Sequence, residues 1–254
     1  MRWLLLILLL SPSGAWACGV SAQAPFRVLR ASAGADEAVT ISFLGHASFE
    51  IETPAGVRAV TDHNGYNVPK RLPDVVTMNH AHATHYVDHP DPGIAHVLRG
   101  WGTGGAPAKL DLTVRDLRVR NLPTNIRDGR GGTEYYGNSV FIFEAAGLCI
   151  AHLSHLHHLL TPEDLADLGP IDVLMLPVDG IWTLSHADAA EVLDQIHARL
   201  VIPMHYFGMA TVRQFLAGLG GRYPVITAHD PTIRLSRASL PLSTEILVLP
   251  GDRY

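Results

Sequence analysis

Cysteine is scarce in this sequence, with two residues among 254, at positions 18 and 149. Two cysteines cannot build the disulfide framework that stabilises many small secreted domains. Cys149 lies in the apolar run 148–151, where we expect a small buried side chain and no bridge to Cys18. A hydrophobic core must therefore stabilise the fold, and a hydrophobic content of 47% supports one.

Runs of basic residues are also absent. The chain carries 24 acidic and 19 basic residues, which gives a net charge of -5. A protein that binds nucleic acid usually presents a basic stripe or patch, so nucleic acid is not an expected partner. The sequence has no internal repeats and no second region of different composition. A single folded domain is the prediction.

Long hydrophobic runs are limited to the N-terminus. Arg2 precedes the apolar run 3–10, which is shorter than the roughly 20 residues that a membrane-spanning helix needs. The sequence A-W-A follows at 15–17, and this order is typical of an export signal that is cleaved before Cys18. A small residue followed by cysteine also resembles a bacterial lipoprotein box. Export to the periplasm is therefore expected, with a lipid anchor at Cys18 as an open alternative.

The export signal sets the predicted domain boundaries. Residues 1–17 form the signal peptide, and 18–38 are small, polar and non-periodic, as in a flexible tether. Residues 39–254 form the domain, which begins with alternating strands and continues with strands that alternate with helices. This order predicts an α/β fold.

Histidine is abundant, with 15 residues concentrated in a few segments. The segment 75–89 begins with a β-branched run and then places His80, His82 and His85 close together. Side chains alternate along an extended chain, so His80 and His82 project to the same side, and a turn brings His85 back to them. Three neutral imidazoles that converge on one point can bind a metal ion and leave a position for water.

Two more histidine segments follow predicted buried strands. His155 comes after the apolar run 148–151, and His205 comes after 201–204. Ligands in α/β folds gather at the carboxyl ends of strands, because the loops there converge while the sheet stays packed. The predicted metal ligands are therefore His80, His82, His85, His155 and His205.

Three motifs resemble those of the metallo-β-lactamase-fold hydrolases, in the branch that is similar to ascorbate-phosphate lactonases. H-A-H-A-T-H at 80–85 resembles the signature H-x-H-x-D-H, and G-H-A-S-F at 45–49 and I-P-M-H-Y at 202–206 match other family segments. The resemblance covers about 39–251. It implies a four-layer αββα sandwich and a metal-dependent hydrolase with a metal-bound water as the attacking group.

The sequence departs from the family pattern at both expected metal-binding carboxylates. Thr84 stands where the signature has aspartate, and His155 stands where the family segment H-L-G-D has its bridging aspartate. A standard two-metal centre does not follow. We expect about one ion per chain, and ligation by nitrogen favours zinc or another divalent transition metal.

Further residues are predicted to lie at the site, and some of them also fit a purely structural role. The resemblance implies that Asp62 orients a ligand imidazole, although a residue ahead of Asn-Gly also fits a simple turn. His46, Arg127, Asn138 and His158 are predicted substrate contacts. A backbone hydrogen bond is the alternative for His46, and a solvated loop is the alternative for Arg127, whose fixed charge suits an anionic substrate.

Metal-assisted hydrolysis of a small molecule is the predicted function. The metal lowers the pKa of a bound water to about 7, and the resulting hydroxide attacks an ester, lactone, amide or phosphoester. The alternative belongs to another class: an exported metal-binding or interaction protein that has kept this scaffold and lost hydrolysis. Loss of both carboxylates favours the alternative, and the retained histidine motifs favour the enzyme.

Overall fold

A computed structural model describes residues 37–80 and 82–251. The predicted signal peptide, Cys18 and nearly all of the predicted tether lie outside these residues. Within the described part, no helix is long and apolar enough to cross a membrane.

The first sheet is built mainly from the N-terminal part of the chain. Its strands are β1 Val39–Gly45, β2 Ser48–Glu52, β3 Arg58–Val60, β4 Val75–Met78 and β5 His96–Arg99, with β13 Thr232–Leu235 from the C-terminal part. The spatial order is β13-β1-β2-β3-β4-β5. The pairs from β13 to β3 are antiparallel, and β3, β4 and β5 run parallel. Their carboxyl ends therefore share one edge of the sheet.

The second sheet contains the remaining strands of the described residues. They are β6 Asp111–Val114, β7 Leu117–Arg127, β8 Thr133–Ala145, β9 Leu148–His152, β10 Val173–Pro177, β11 Leu200–Met204, β12 Val225–Thr227 and β14 Glu245–Val248. The spatial order is β12-β14-β11-β10-β9-β8-β7-β6. Strands β9, β10 and β11 run parallel, so β9 and β11 end on the same side as β10.

The burial patterns agree with this arrangement. β1 alternates between buried and partly exposed residues, as expected for a strand with one face on the core. β10 and β11 are buried at every position, as expected for central parallel strands covered on both faces. Phe49 and Ile51 of the first sheet share one hydrophobic core with Phe141 and Phe143 of the second. The predicted α/β sandwich is confirmed.

Three helices lie within the described residues: α1 Pro162–Leu168, α2 His186–Ile196 and α3 Met209–Gly218. Thr161 forms a capping box with Asp164 at the start of α1, and Ser185 caps α2 by accepting a hydrogen bond from the Asp188 backbone. The C-cap residue of α2 is His197, which has left-handed backbone geometry. The apolar residues at 189, 192, 193 and 196 predict a helix over 187–200 with His197 inside it, and that prediction is wrong because the helix stops at Ile196.

Two other expectations are also corrected. The polar and glycine-rich composition of 123–132 predicts a loop, but β7 continues to Arg127 and pairs with Thr133 of β8. Long-range pairing between these strands overrides the local glycine and proline signal. Cys149 is buried as expected, but it is disulfide-bonded, so the prediction of an unbridged cysteine is wrong. Its partner is not among the described residues.

Candidate metal centre

Left-handed backbone conformations mark the strand ends around the histidine cluster. His46 follows β1, Asp62 lies just after β3, Ser154 follows β9 and His205 follows β11, and their φ angles are 53°, 43°, 47° and 54°. Residues other than glycine rarely adopt this geometry, and strain of this kind concentrates at functional sites. The sharp turns bring residues from both sheets to one place: the His205 backbone N–H donates to the His46 carbonyl at 2.7 Å.

A group of three buried imidazoles lies at this place. One ring nitrogen from each of His46, His85 and His205 lies within 4.8 Å of the other two. All three side chains are buried. The sequence predicts His85 and His205 as metal ligands and His46 as a substrate contact, but the fold puts His46 beside the other two rings. The three residues come from segments more than 30 positions apart, so only the fold brings them together.

Each of two rings in this group faces its own carboxylate. His85 Nδ1 lies 2.7 Å from Asp62 Oδ2, and His205 Nδ1 lies 2.9 Å from Asp179 Oδ2. An ionised carboxylate only accepts hydrogen bonds, so the hydrogen bond to Asp62 places a hydrogen on His85 Nδ1. The contact of His205 Nδ1 with Asp179 does not have hydrogen-bond geometry, but the nearby negative charge favours a hydrogen on that nitrogen as well. His85 Nε2 then presents a lone pair, which is the form that binds a metal ion, and His205 Nε2 does the same in the tautomer that Asp179 favours.

The free lone pairs converge. His85 Nε2 and His205 Nε2 are 3.2 Å apart, and His155 Nδ1 lies 3.3 Å from the same His205 atom. His46 Nε2 is buried without a hydrogen-bond partner among the described residues. Two facing lone pairs repel each other, and a buried unpaired nitrogen is costly, so a cation at this point would relieve both. The donor set therefore fits a divalent ion that prefers imidazole, such as zinc.

Burial keeps His46, His85 and His155 neutral. Desolvation, followed by repulsion from His205, lowers the pKa of His46 to about 3. Desolvation also holds the pKa of His85 well below its ordinary value, with His205 and His46 adding to the effect. The pKa of His155 is lowered in the same way, by burial and then by His85. At neutral pH no imidazolium proton competes with a metal ion at the nitrogens of these three residues.

Asp62 is fully buried beneath this group. It accepts hydrogen bonds from Ser154 Oγ at 2.8 Å and from the Asn79 backbone at 3.4 Å. Burial raises the pKa of Asp62 to about 6, against the opposing effects of His152 and Ser154. It is therefore mostly ionised at neutral pH and in place to orient His85, the arrangement that the family resemblance implies.

Asp179 was missed in the sequence. Burial alone would raise its pKa, but contacts with His205 and Thr183 hold it well below the usual value. Oδ1 accepts backbone hydrogen bonds from Ile181 and Trp182, and Oδ2 faces His205. An available signal was its position two residues after the buried strand β10, at the edge where the other strands end.

The other predicted ligands form a stack beside the three-imidazole group. The His80 and His155 rings are 4.9 Å apart with 10° between their planes, and His80 and His82 are 6.1 Å apart with 6° between theirs. His80 Nδ1 donates to the Gly137 carbonyl at 2.7 Å, which leaves Nε2 as an acceptor. His82 is exposed, and its Nδ1 lies 3.0 Å from Thr84 Oγ1. Ligation by this stack stays a prediction.

His157 is a further imidazole at the site that the ligand prediction did not include. The Arg127 backbone N–H donates to His157 Nδ1 at 2.8 Å, so the neutral ring carries its hydrogen on Nε2. That Nε2 atom is buried without a partner among the described residues, and the ring lies 4.7 Å from that of His155. Burial, and then Arg127, lowers the pKa of His157 to about 4.

Two of the predicted substrate contacts, Asn138 and His158, make hydrogen bonds within the protein. Asn138 is fully buried; its amide donates to Thr124 Oγ1 and accepts from the His155 backbone. His158 accepts from the Asn125 backbone through Nε2, and its Nδ1 donates to the Leu159 carbonyl. The substrate roles of Asn138 and His158 stay predictions, although the polar atoms of both side chains already have partners within the protein.

The Arg127 guanidinium donates to the carbonyls of His157 and Thr183, at 2.9 and 2.6 Å. Its anion-binding role stays a prediction, although both terminal nitrogens already have partners.

His152 is held below the site: Nε2 donates to the Ala47 carbonyl and Nδ1 accepts from Asn79. Both of its nitrogens are occupied, so it supports the structure of the site without a free ligand atom.

The comparisons with known proteins agree with this geometry. Residues 40–205 match the family model described as a β-lactamase superfamily domain. A UPF0173 metal-dependent hydrolase from Carboxydothermus hydrogenoformans is 26% identical over 190 residues, which covers 65% of this chain and 84% of the relative. Another from Pyrococcus furiosus is 28% identical over 195 residues and covers 66% of this chain and 84% of its own length.

A solved structure is also similar. A proposed Zn-dependent hydrolase of the metallo-β-lactamase superfamily from Thermotoga maritima superposes with a TM-score of 0.62 at 29% identity, covering 83% of this chain and 98% of that one.

Proposed function

Because this chain belongs to the β-lactamase superfamily domain family, we propose that it is an exported metal-dependent hydrolase of a small ester, lactone, amide or phosphoester. The observation that carries the proposal is the pair of facing Nε2 atoms on His85 and His205, each ring oriented by a buried carboxylate. This pair presents two preformed lone pairs in a buried site, with His46 as the third ligand.

The metal would be held by His46, His85 and His205, with His155 next to them. When bound, a zinc-class ion lowers the pKa of water to about 7 and polarises a carbonyl or phosphoryl oxygen. We propose one such ion per chain, because Thr84 and His155 replace the two carboxylates of the family pattern. With these replacements no carboxylate of the family pattern is left to bridge a first ion to a second one.

The residues around the ligands supply orientation and hydrogen bonds. The hydrogen bond to Asp62 keeps His85 in the ligating tautomer, and the Asp179 carboxylate favours the same tautomer of His205. His157 keeps a hydrogen on Nε2 because the Arg127 backbone occupies its Nδ1. We assign to this buried N–H the donation of a hydrogen bond to the oxygen that gains negative charge during hydrolysis.

Measurement of metal content and turnover on the same preparations tests the proposal. Protein purified without added metal is assayed on a panel of simple esters, lactones, anilides and phosphodiesters, then again after chelation and after zinc is restored. We expect turnover of at least one class, its loss on chelation, and its recovery with zinc. His205→Asn should lose both metal and turnover. Turnover that survives complete metal removal would contradict the proposal.

A second candidate function rests on Thr84 and His155, which replace both family carboxylates. An exported metal-binding protein without hydrolytic activity would keep the three-imidazole group and dispense with a second metal. The same experiment separates the two functions. Stoichiometric metal that depends on His205, together with no turnover of any substrate class, would favour the binding protein.

A further inference from the structure

Large apolar side chains are exposed beside the histidine cluster. Ile181 is 74% exposed, Trp182 63% and Phe207 64%. Single exposed apolar residues are ordinary on a protein surface, but a group of them next to a buried polar site indicates a binding surface. The three residues come from the two loops that follow β10 and β11, the strands whose ends carry Asp179 and His205.

Phe207 lies directly against the three-imidazole group. Its ring centroid is 5.4 Å from that of His46 and 6.3 Å from that of His205. The left-handed turn at His205 reverses the chain after β11, and Phe207 follows two residues later. An exposed aromatic ring in contact with two candidate ligands places apolar surface at the mouth of the site.

Ile181 and Trp182 are tied to the same site through Asp179. One oxygen of this carboxylate faces His205, and the other accepts the backbone N–H groups of Ile181 and Trp182. The turn from Asp179 to Ile181 passes through Gly180, which has a φ of 77°. Glycine is needed there because a Cβ would lie 2.5 Å from His186 Nε2. The Asp179 carboxylate therefore holds the backbone of Ile181 and Trp182 and contacts His205 at the same time.

Arg127 fixes the far side of this loop. Its guanidinium donates to the Thr183 carbonyl and to the His157 carbonyl, and so joins the loop after β10 to the loop after β9. Thr183 is itself bonded to Asp179 through both its backbone and its side chain. The loop that presents Ile181 and Trp182 is thus held at both ends before any ligand binds, which reduces the entropy cost of binding.

We propose that Phe207, Ile181 and Trp182, together called the apolar rim, bind the hydrocarbon chain of an acyl ester or acyl lactone substrate. The inference rests on the proposed hydrolase function and names its substrate class. A compact anionic substrate fits less well, because the terminal nitrogens of Arg127 are already bonded to backbone carbonyls. An apolar chain would instead cover the exposed rings while its carbonyl lies next to the imidazoles.

A series of p-nitrophenyl esters from acetate to octanoate tests the rim on the zinc-loaded protein. Each methylene that contacts the rim should raise kcat/KM by up to about fourfold, the effect of burying one methylene. The ratio of kcat/KM for octanoate to that for acetate is the quantity of interest, because it cancels changes in metal content. Phe207→Ser and Trp182→Ser should each lower this ratio at least fivefold.

Leu242→Ser is the matched control. Leu242 is 98% exposed and follows Pro241, whose carbonyl accepts a hydrogen bond from Arg199. Arg199 precedes β11, at the opposite end of the strand from His205. Removal of this apolar side chain should leave the octanoate-to-acetate ratio at the wild-type value. A similar fall in the control would show that general surface hydrophobicity sets the preference, and would overturn the inference.

Binding of octanoate and acetate, measured by calorimetry on the same zinc-loaded proteins, separates failure of the rim from failure of the hydrolase function. Octanoate should bind at least tenfold more tightly than acetate, with a negative heat-capacity change, and Phe207→Ser should remove most of that difference. If no substrate is hydrolysed but this preference persists, the hydrolase function fails and the rim stands. If kcat/KM is the same for all esters of the series and octanoate binds no more tightly than acetate, the inference about the apolar rim is overturned while the hydrolase function stands.

Discussion

The Nε2 atoms of His85 and His205 lie 3.2 Å apart, while the Nδ1 atom of each ring faces a different buried carboxylate. The hydrogen bond to Asp62 sets the tautomer of His85, and the charge of Asp179 favours the same tautomer of His205, so that two lone pairs face each other. This arrangement is unfavourable for a metal-free protein and favourable for one that holds a cation. Orientation of ligand imidazoles by neighbouring carboxylates is a common feature of metal sites.

Replacement of His46 or His205 should remove a ligand and weaken zinc binding. Loss of even an orienting partner lowers metal affinity by about 10- to 100-fold, so His46→Asn and His205→Asn should each cost at least that much. Competition with a chromophoric chelator measures the affinity. His197→Asn is the control, since His197 is exposed at the end of α2 and asparagine tolerates its left-handed backbone. Loss of zinc in this control, with wild-type affinity in His205→Asn, would place the site elsewhere.

Metal stoichiometry should be about one ion per chain, because both carboxylates of the family pattern are replaced. Elemental analysis of protein purified without added metal measures it. Two tightly bound ions in the wild type would rule the expectation out. The Thr84→Asp change should raise the stoichiometry, since the Thr84 hydroxyl already lies 3.0 Å from His82 Nδ1 and a carboxylate there would supply an anionic ligand.

Removal of the buried N–H of His157 should lower kcat without loss of metal. Loss of one preorganised donor to a developing oxyanion costs on the order of 100-fold in kcat, so His157→Phe should fall by about that factor at unchanged zinc content. His157→Gln keeps an amide donor and should recover part of the rate. His229→Gln, at an exposed position after β12, serves as the control. A wild-type kcat in His157→Phe would remove His157 from the mechanism.

Stability of the metal-free protein should fall as the pH drops below about 6.5, the ordinary histidine pKa. Burial lowers the pKa of several histidines, and such groups stabilise the fold above their unfolded pKa and destabilise it as the pH falls towards the folded one. These residues are His46, His63, His80, His85, His152, His155 and His157.

Asp62 acts in the opposite direction. Its pKa is raised to about 6, so its contribution is present at low pH and is lost as the pH rises through that value. The effect of one carboxyl on the free energy of unfolding cannot offset the effects of several histidines. We therefore expect the net stability to fall as the pH drops. Urea unfolding of chelator-treated protein at about pH 7.5 and about pH 5 measures the free energy of unfolding. His46→Asn should reduce the difference, and equal stability at the two pH values would contradict the expectation.

Export should leave a mature N-terminus at Cys18. Mass spectrometry of the native protein, with and without reduction, tests this and identifies the partner of Cys149. Cys18 is the other cysteine of the sequence, and one sulfur cannot carry both a disulfide and a lipid thioether. A lipid on Cys18 would therefore exclude a bridge between Cys18 and Cys149 within one chain. An intact Met1 on the mature protein would reject export.

The sequence by itself determined the parts of the protein that depend on local patterns. Alternation predicts β1 and β2, the continuous apolar runs predict β10 and β11, and the capping residues predict α1 and α2. Histidines placed directly after strands predict a metal site at the strand ends, because strand ends converge in any such sheet. The motifs at 45–49, 80–85 and 202–206 were sufficient to identify the family.

The tertiary structure alone decided which of these side chains meet. His46 joins His205 because both follow strands with a left-handed turn, and nothing in a local pattern specifies that geometry for histidine. Asp179 contacts His205 across two parallel strands, whose pairing register sets the distance between residues 26 positions apart. Asn138 and His158 are residue types that often bind ligands, but here each accepts a hydrogen bond from a backbone N–H that only folding brings near. Hydrogen-bond partners of this kind depend on long-range packing, which the order of residues along the chain does not reveal.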